Sequence, residues 1–213
     1  MDPGASFSKE SFAAAFPTLP EDLNRLSTYA DVLVKWQARI NLVGPSTVGD
    51  LWRRHMLDSA QLARVIPPGP VLDLGSGAGF PGLVLAILRG GSVEDAVHLV
   101  ESDSRKCAFL REVIRLTAAN AVVHNVRIET LAFFPVVAVT ARALASLSKL
   151  LEMSEKFLLP SVHCYFLKGR SGEEELTEAR KDWMMAVERM PSLADPSGLI
   201  LHLREVYRGR DER

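Results

Sequence analysis

Residues 71–87 read VLDLGSGAGFPGLVLAI, with four glycines among the eight residues 75–82, between two apolar runs. Val71–Leu74 has the pattern of a short buried strand. Leu83–Ile87 reads as the buried face of a helix that Pro81 opens near its first turn. A strand, a glycine-rich turn and a helix form a cradle that lets backbone approach a ligand with no Cβ in the way. Two registers fit the same letters. Gly77, Gly79 and Gly82 satisfy the dinucleotide pattern G-x-G-x-x-G, whereas Asp73, Gly75, Gly77 and Gly79 give D-x-G-x-G-x-G, the first motif of adenosylmethionine-dependent methyltransferases. Glu101 ends the next apolar run, about 20 residues on, where a carboxylate can accept from ribose hydroxyls of either cofactor.

Working outward, residues 71–213 alternate strand and helix patterns, which predicts an α/β fold with a parallel sheet covered on both faces. Strands are expected at 71–74, 97–101, 121–126, 135–140 and 163–168. Helices are expected at 81–88, 104–118, 146–158 and 173–190. GLILHLREVYR, 198–208, alternates apolar and polar residues and predicts edge strands joined antiparallel. Residues 1–66 read as a helical appendage to a domain spanning 67–213, with PPGP at 67–70 as the boundary. Ser8 is the expected cap of a first short helix. A second carries the stripe Leu23, Leu26, Ala30, Leu33, Trp36 and Ile40 and ends at Gly44 and Pro45. A third, capped by Thr47-x-x-Asp50, is expected to place His55 and Asp58 on one buried face, as a pair bracing the pocket. Trp36 reads as core between the second helix and the sheet.

Composition narrows the function classes. With 213 residues, 47% hydrophobic, 24% charged and a net charge of -1, the chain suits a single sizeable core and carries no bulk basic excess for nucleic acid. RNA contact would need local patches, and Arg25, Lys35, Arg39, Arg53 and Arg54 offer either such a face or an ordinary solvated one. No run approaches the ~20 apolar residues of a membrane span, and MDPGASFSKE lacks a leader pattern, so a cytoplasmic monomer is expected. Cys107 and Cys164 have apolar neighbours and no metal-type spacing; buried thiols are expected and no metal site.

A nicotinamide enzyme normally adds a second mononucleotide half or a substrate domain, and little chain is left for one. The Asp73 register is therefore favoured, and with it S-adenosylmethionine. The string DLGSGAGFPG, the upstream INLVG and RHMLDS, and the downstream HNVRIET, TARALASL and FLKG together resemble the bacterial small-subunit rRNA guanine-N7 methyltransferases, the RsmG or GidB family, from about residue 35 to 170. The resemblance implies a Rossmann-like seven-stranded methyltransferase sheet and methylation of N7 of guanosine-527 in 16S rRNA, within the small ribosomal subunit. It places Gly75, Phe80, Ile128, Glu129 and Arg142 on cofactor contacts. INLVG departs from the family's usual asparagine-leucine-threonine pattern.

Guanine N7 attacks through an in-plane lone pair and needs no general base, so no catalytic side chain is demanded and alignment is the task. The segment TARAL replaces the [DN]-P-P-[FY] motif of amino-group methyltransferases, and neither cysteine sits in a loop suited to carbon-5 chemistry. Arg142, Lys168, His55 and Asp58 remain as positioning candidates. Arg142 suits a methionine carboxylate or an RNA phosphate, with a surface arginine as the plain alternative; Lys168 suits a phosphate or simply snorkels. His55 with Asp58 is as well explained as a satisfied core histidine. A small-molecule methyltransferase, a nicotinamide dehydrogenase and a non-enzymatic ribosome-assembly module are the rival readings.

Overall fold

The computed structural model describes residues 7–209; the first residues of MDPGASFSKE lie outside them. Seven strands form one sheet in the order β3-β2-β1-β4-β5-β7-β6. They are β1 (Val71–Leu74), β2 (Val97–Val100), β3 (Ala121–His124), β4 (Ala138–Arg142), β5 (His163–Lys168), β6 (Trp183–Pro191) and β7 (Leu199–Arg208). The first five run parallel, and β7 enters antiparallel between β5 and β6. From β1 the chain winds outward through β2 and β3, then returns to the far side of β1 as β4 and β5. The crevice beyond the carboxyl ends of β1 and β4 is therefore the topological switch point, where open α/β sheets bind ligands.

Each face of the sheet buries its own apolar cluster. Helices α1 (Lys9–Ala15), α2 (Pro20–Gln37), α4 (Gly82–Arg89) and α5 (Ser104–Thr117) cover one face around Phe12, Tyr29, Leu83 and Phe109. Helices α6 (Leu147–Ser154) and α7 (Gly172–Ala179) cover the other around Leu72, Phe157, Phe166 and Trp183. Ser8 caps α1 by accepting from Ser11 N at 3.3 Å, as its position predicts. Trp36, partly buried, packs edge-on against Phe109 of α5, 5.8 Å between centroids, at the margin of the first cluster. Both cysteines are buried and free. Among the described residues no helix is long and apolar enough to cross a membrane.

Three expectations fail, each for a tertiary reason. The helix expected over 173–190 stops at Ala179, and Trp183–Pro191 is the edge strand, because the next strand, β7, is itself fixed to β5 and supplies its backbone partners as an antiparallel hairpin. The tail 199–208 consequently lies inside the sheet rather than at its edge. The second helix ends at Gln37, short of Ile40. Gln37 Oε1 accepts from the backbone N–H groups of Leu42 and Val43 at 3.0 Å each, and its amide donates to Val43 O, folding 38–43 back as a turn. The third helix is irregular: 3-10 over Pro45–Asp50, a π turn over Trp52–Leu57, one α turn α3 (Asp58–Ala60) and 3-10 again over Gln61–Arg64. Thr47 sits within the first turn and donates to Gly44 O instead of capping the helix. π turns occur disproportionately at functional sites, and this one carries His55.

Candidate active site

At the switch point a cavity of about 610 Å³ opens between the loops after β1, β2, β3 and β4 and the segment 42–47. Its floor is the glycine turn. Gly75, Gly77 and Gly79 all have positive φ (61°, 54° and 92°), and a Cβ on Gly77 would meet nothing nearer than Gly75 O at 3.7 Å, so the turn offers bare peptide to the cavity. Leu144 leans over Gly75, where an added Cβ would lie 2.5 Å from its Cδ1. Leu144 follows Ala143, a non-glycine residue held at φ 52°, the kind of strained backbone that functional sites accumulate.

The carboxylate at the end of β2 locks this turn in place. Glu101 Oε2 accepts from Gly77 N at 3.0 Å, and Oε1 accepts from Asp103 N at 2.7 Å. Glu101 lines the cavity, and each carboxylate oxygen has further accepting capacity beyond these bonds. Ile128 and Glu129, in a 3-10 turn (Ile128–Thr130) after β3, line the same cavity; Ile128 is buried and apolar, Glu129 exposed at the rim. Phe80, almost fully buried, also lines the cavity, stacked between Tyr29 and His55 with centroids at 5.2 and 4.9 Å. The Tyr29 hydroxyl donates to Ala78 O, tying α2 to the turn, and burial pushes that phenol well above its ordinary range.

Two members of the glycine motif lie elsewhere. Asp73 and Gly79 do not line the cavity. Asp73 is wholly buried under the turn; its Oδ1 accepts from Thr140 Oγ1 at 2.8 Å, while Oδ2 makes no hydrogen bond. A Cβ on Gly82 would stand 2.6 Å from that oxygen, so Asp73 and the start of α4 are fitted to each other. Burial is the main cause that lifts the Asp73 carboxyl to about 6.

Arg142, at the end of β4, is the most heavily engaged side chain of the site. Nη1 donates to Arg54 O at 2.9 Å and lies 3.7 Å from Asp58 Oδ2, Nη2 donates to His55 Nδ1 at 2.7 Å, and the guanidinium sits 5.0 Å over the Phe80 ring. His55 and Asp58 are thus not a pair but two partners of Arg142. Burial, followed by the Arg142 charge, holds the His55 imidazole neutral, down to about 3. Burial pushes Asp58 up and Arg142 down by more than their mutual attraction restores.

Beside the first cavity lies a second, of about 340 Å³, at the ends of β4 and β5; Arg142 and Ala143 line both. Lys168 lines the second, where its Nζ donates to Glu175 Oε2 and Ala145 O, both at 2.7 Å, so that its charge is already paired within the fold. Arg25 is spent on the carboxyl end of α5 (Thr117 O at 2.6 Å, Ala118 O at 2.7 Å), and Arg53 on Asp50. Ser102, Lys106 and Leu144 line the first cavity without having been marked by the sequence. Lys106 alone carried a signal, a cation one turn into a helix that follows the ribose-side carboxylate.

The glycine floor, the acidic strand end and the apolar wall fit an adenosine-type ligand with an amino-acid tail. Comparisons with known proteins agree. The GidB family model, rRNA small subunit methyltransferase G, matches residues 22–200. A ribosomal RNA small subunit methyltransferase G of Paramagnetospirillum magneticum is 59% identical over 192 residues, 89% of this chain and 92% of the relative. That of Rhodospirillum rubrum is 54% identical over 201 residues, 93% and 98%. Solved structures share the fold at low identity: a provisionally assigned O-methyltransferase of Klebsiella pneumoniae (TM-score 0.62, 12% identity, 94% and 97% covered) and a ribosomal protein L11 methylase of Lactobacillus delbrueckii (0.54, 15%, 71% and 77%). With its fold, its glycine turn and four-fifths of its length accounted for in this way, the chain belongs to the rRNA small subunit methyltransferase G family.

Proposed function

We propose that this enzyme methylates N7 of a guanine in 16S rRNA, guanosine-527 by the resemblance drawn above, using S-adenosylmethionine. The observation that carries the reading is the glycine turn at 75–79, with Gly75, Gly77 and Gly79 at positive φ, standing at the sheet's switch point in a chain of this family. S-adenosylmethionine, when bound, supplies an electrophilic sulfonium methyl group. Gly75 and Gly77 would present backbone to its amino-acid part, the free lone pairs of Glu101 would accept from the ribose hydroxyls, and Val100 and Ile128 would face the adenine, with Glu129 at its edge.

Guanine N7 carries its own lone pair, so the chain's residues need to take no proton. The site is built accordingly: His55 Nδ1 is occupied by Arg142, and Asp58 is held by Arg142, Gln61 and Ser192. What these residues do is orient and exclude water, which is worth on the order of 7 to 11 kcal/mol when geometry is right. The adjoining cavity, at the ends of β4 and β5, would receive the base. Arg54, Lys106 and Arg127 line the first cavity as cations for RNA phosphates. The substrate in this reading is the small subunit or its precursor, met in the cytoplasm by a monomer.

The test offers radiolabelled S-adenosylmethionine with small subunits, whole ribosomes and protein-free RNA in parallel, then maps N7-methylguanine by borohydride and aniline scission. Scission at one guanine of 16S rRNA is expected. Label on a base amine or on protein would refute the assignment.

A further inference from the structure

Arg142 stands between the two cavities, and its hydrogen bonds impose a direction on a chain of side chains. A guanidinium has only donors, so Arg142 Nη2 must donate to His55 Nδ1. A neutral imidazole that accepts at Nδ1 carries its proton on Nε2, and this nitrogen lies 2.8 Å from Thr47 Oγ1, which must then accept. The Thr47 hydroxyl proton goes to Gly44 O at 2.7 Å. Toward the other cavity, Arg142 Nη1 faces Asp58 Oδ2 at 3.7 Å, and Asp58 Oδ1 accepts from Ser192 Oγ at 2.9 Å. Ser192 Oγ in turn accepts from the backbone N–H groups of Ala194 and Asp195, at 3.1 and 3.3 Å, in the β6–β7 connection. Thr47 and His55 line the first cavity but not the second; Asp58 and Ser192 line the second but not the first.

We infer that Thr47, His55, Asp58 and Ser192 are positioning residues acting through Arg142: a directed hydrogen-bond relay from Arg142 through His55 and Thr47 to Gly44 O, joined through the Arg142–Asp58 ion pair to the carboxylate that Ser192 anchors, holds the wall of the cofactor cavity and the wall of the adjoining cavity in a single geometry. The inference rests on the reading of the first cavity as the S-adenosylmethionine site. Direction is what separates a relay from ordinary packing. Moving the imidazole proton to Nδ1 would set that N–H against the Arg142 donor, and losing either terminal hydroxyl would leave a half-buried partner unsatisfied. Slack introduced at Ser192 should therefore be felt at Gly44, on the far side of Arg142.

Two measurements decide it. Calorimetric titration with S-adenosylhomocysteine is made on the wild type, Thr47→Val, Ser192→Ala, the double variant and Thr47→Ser. Each of Thr47→Val and Ser192→Ala is expected to weaken binding about fivefold or more, and the double variant to be no weaker than the worse single one, since members of one network are not additive. Thr47→Ser should return to within about twofold of wild type, because it restores the hydroxyl. Nitrogen-15 NMR of the ligand-free wild type should show the His55 proton on Nε2, and Thr47→Val should blur that preference. Wild-type affinity in Ser192→Ala, additive losses, or a proton on Nδ1 would overturn the relay. A wild type that takes up no S-adenosylhomocysteine would instead sink the cofactor reading, while the tautomer still decides the relay.

Discussion

Gly75 shows how a single missing side chain governs the site. Its φ of 61° costs an L-residue about 1–2 kcal/mol, and a methyl there would collide with Leu144. Gly75→Ala is expected to lose that stability in urea unfolding and to weaken S-adenosylhomocysteine binding at least about tenfold. Arg142→Ala strips His55, Arg54 and Asp58 of one shared donor. It should cost about 3 kcal/mol, because a partly buried carboxylate keeps its charge without a partner. Equal stability of variant and wild type in denaturant would contradict this. Acid sensitivity follows from His55 and His98, held in the fold at about 3 and about 4 chiefly by burial, against an ordinary 6.5. Between those values and 6.5 the unfolded chain binds more protons, so stability present above 6.5 is lost as pH falls. Asp73, raised to about 6 from 3.8, acts with the opposite sign between those two values and offsets one of the two histidines. Urea midpoints should drop from neutral pH to about pH 5, and His98→Asn should flatten the drop.

At the scale of elements, α2 is more than a cover. Its Tyr29 donates to Ala78 O in the glycine turn and stacks on Phe80, so an amino-terminal helix sets the floor of a cavity built by the sheet. Tyr29→Phe keeps the ring and removes the donor. A loss of about 1 kcal/mol and a measurable weakening of S-adenosylhomocysteine binding are expected, because a buried carbonyl goes unsatisfied. The segment 183–190 offers a separate check. As the edge strand β6 it turns alternate N–H groups to β7 and to solvent, so hydrogen exchange should alternate fast and slow along it. A helix would protect consecutive amides. Leu201 and Leu203, in β7 between two strands, should exchange slowest in this region.

Over the whole molecule, residues 9–66 and the sheet share one apolar cluster. Phe12, Leu26, Tyr29 and Leu33 are fully buried among Leu83, Leu99 and Phe109. We therefore propose that the amino-terminal helices are a structural half of the site rather than a dispensable attachment. Removal of residues 1–66 would expose that face and take away Tyr29, Thr47, His55 and Asp58 together. The truncated chain is expected to lose cooperative thermal unfolding and to aggregate, whereas a soluble, cofactor-binding 67–213 fragment would show the two parts to be independent.

Most of the sheet was legible because β1, β2, β4 and β5 are apolar runs punctuated by glycine, proline or polar turns, a local pattern that burial on both faces requires, and the edge strand β3 is a short apolar run of the same kind. The glycine turn, Glu101 and the cofactor class were legible for the same reason: bare backbone and a strand-end carboxylate are written in adjacent letters. Three features were decided only by the tertiary structure. Trp183–Pro191 became a strand because β7, held in place by β5, pairs with it as a hairpin across residues 192–198. Asp73 came to lie buried beneath the turn, its Oδ1 accepting from Thr140, 67 positions away, a partner no local pattern indicates. Arg142 came to join His55 to Asp58, which no spacing in the sequence reveals, because a hydrogen-bond partner 87 residues away and an ion-pair partner 84 residues away meet it only after the helical segment has folded over the end of β4.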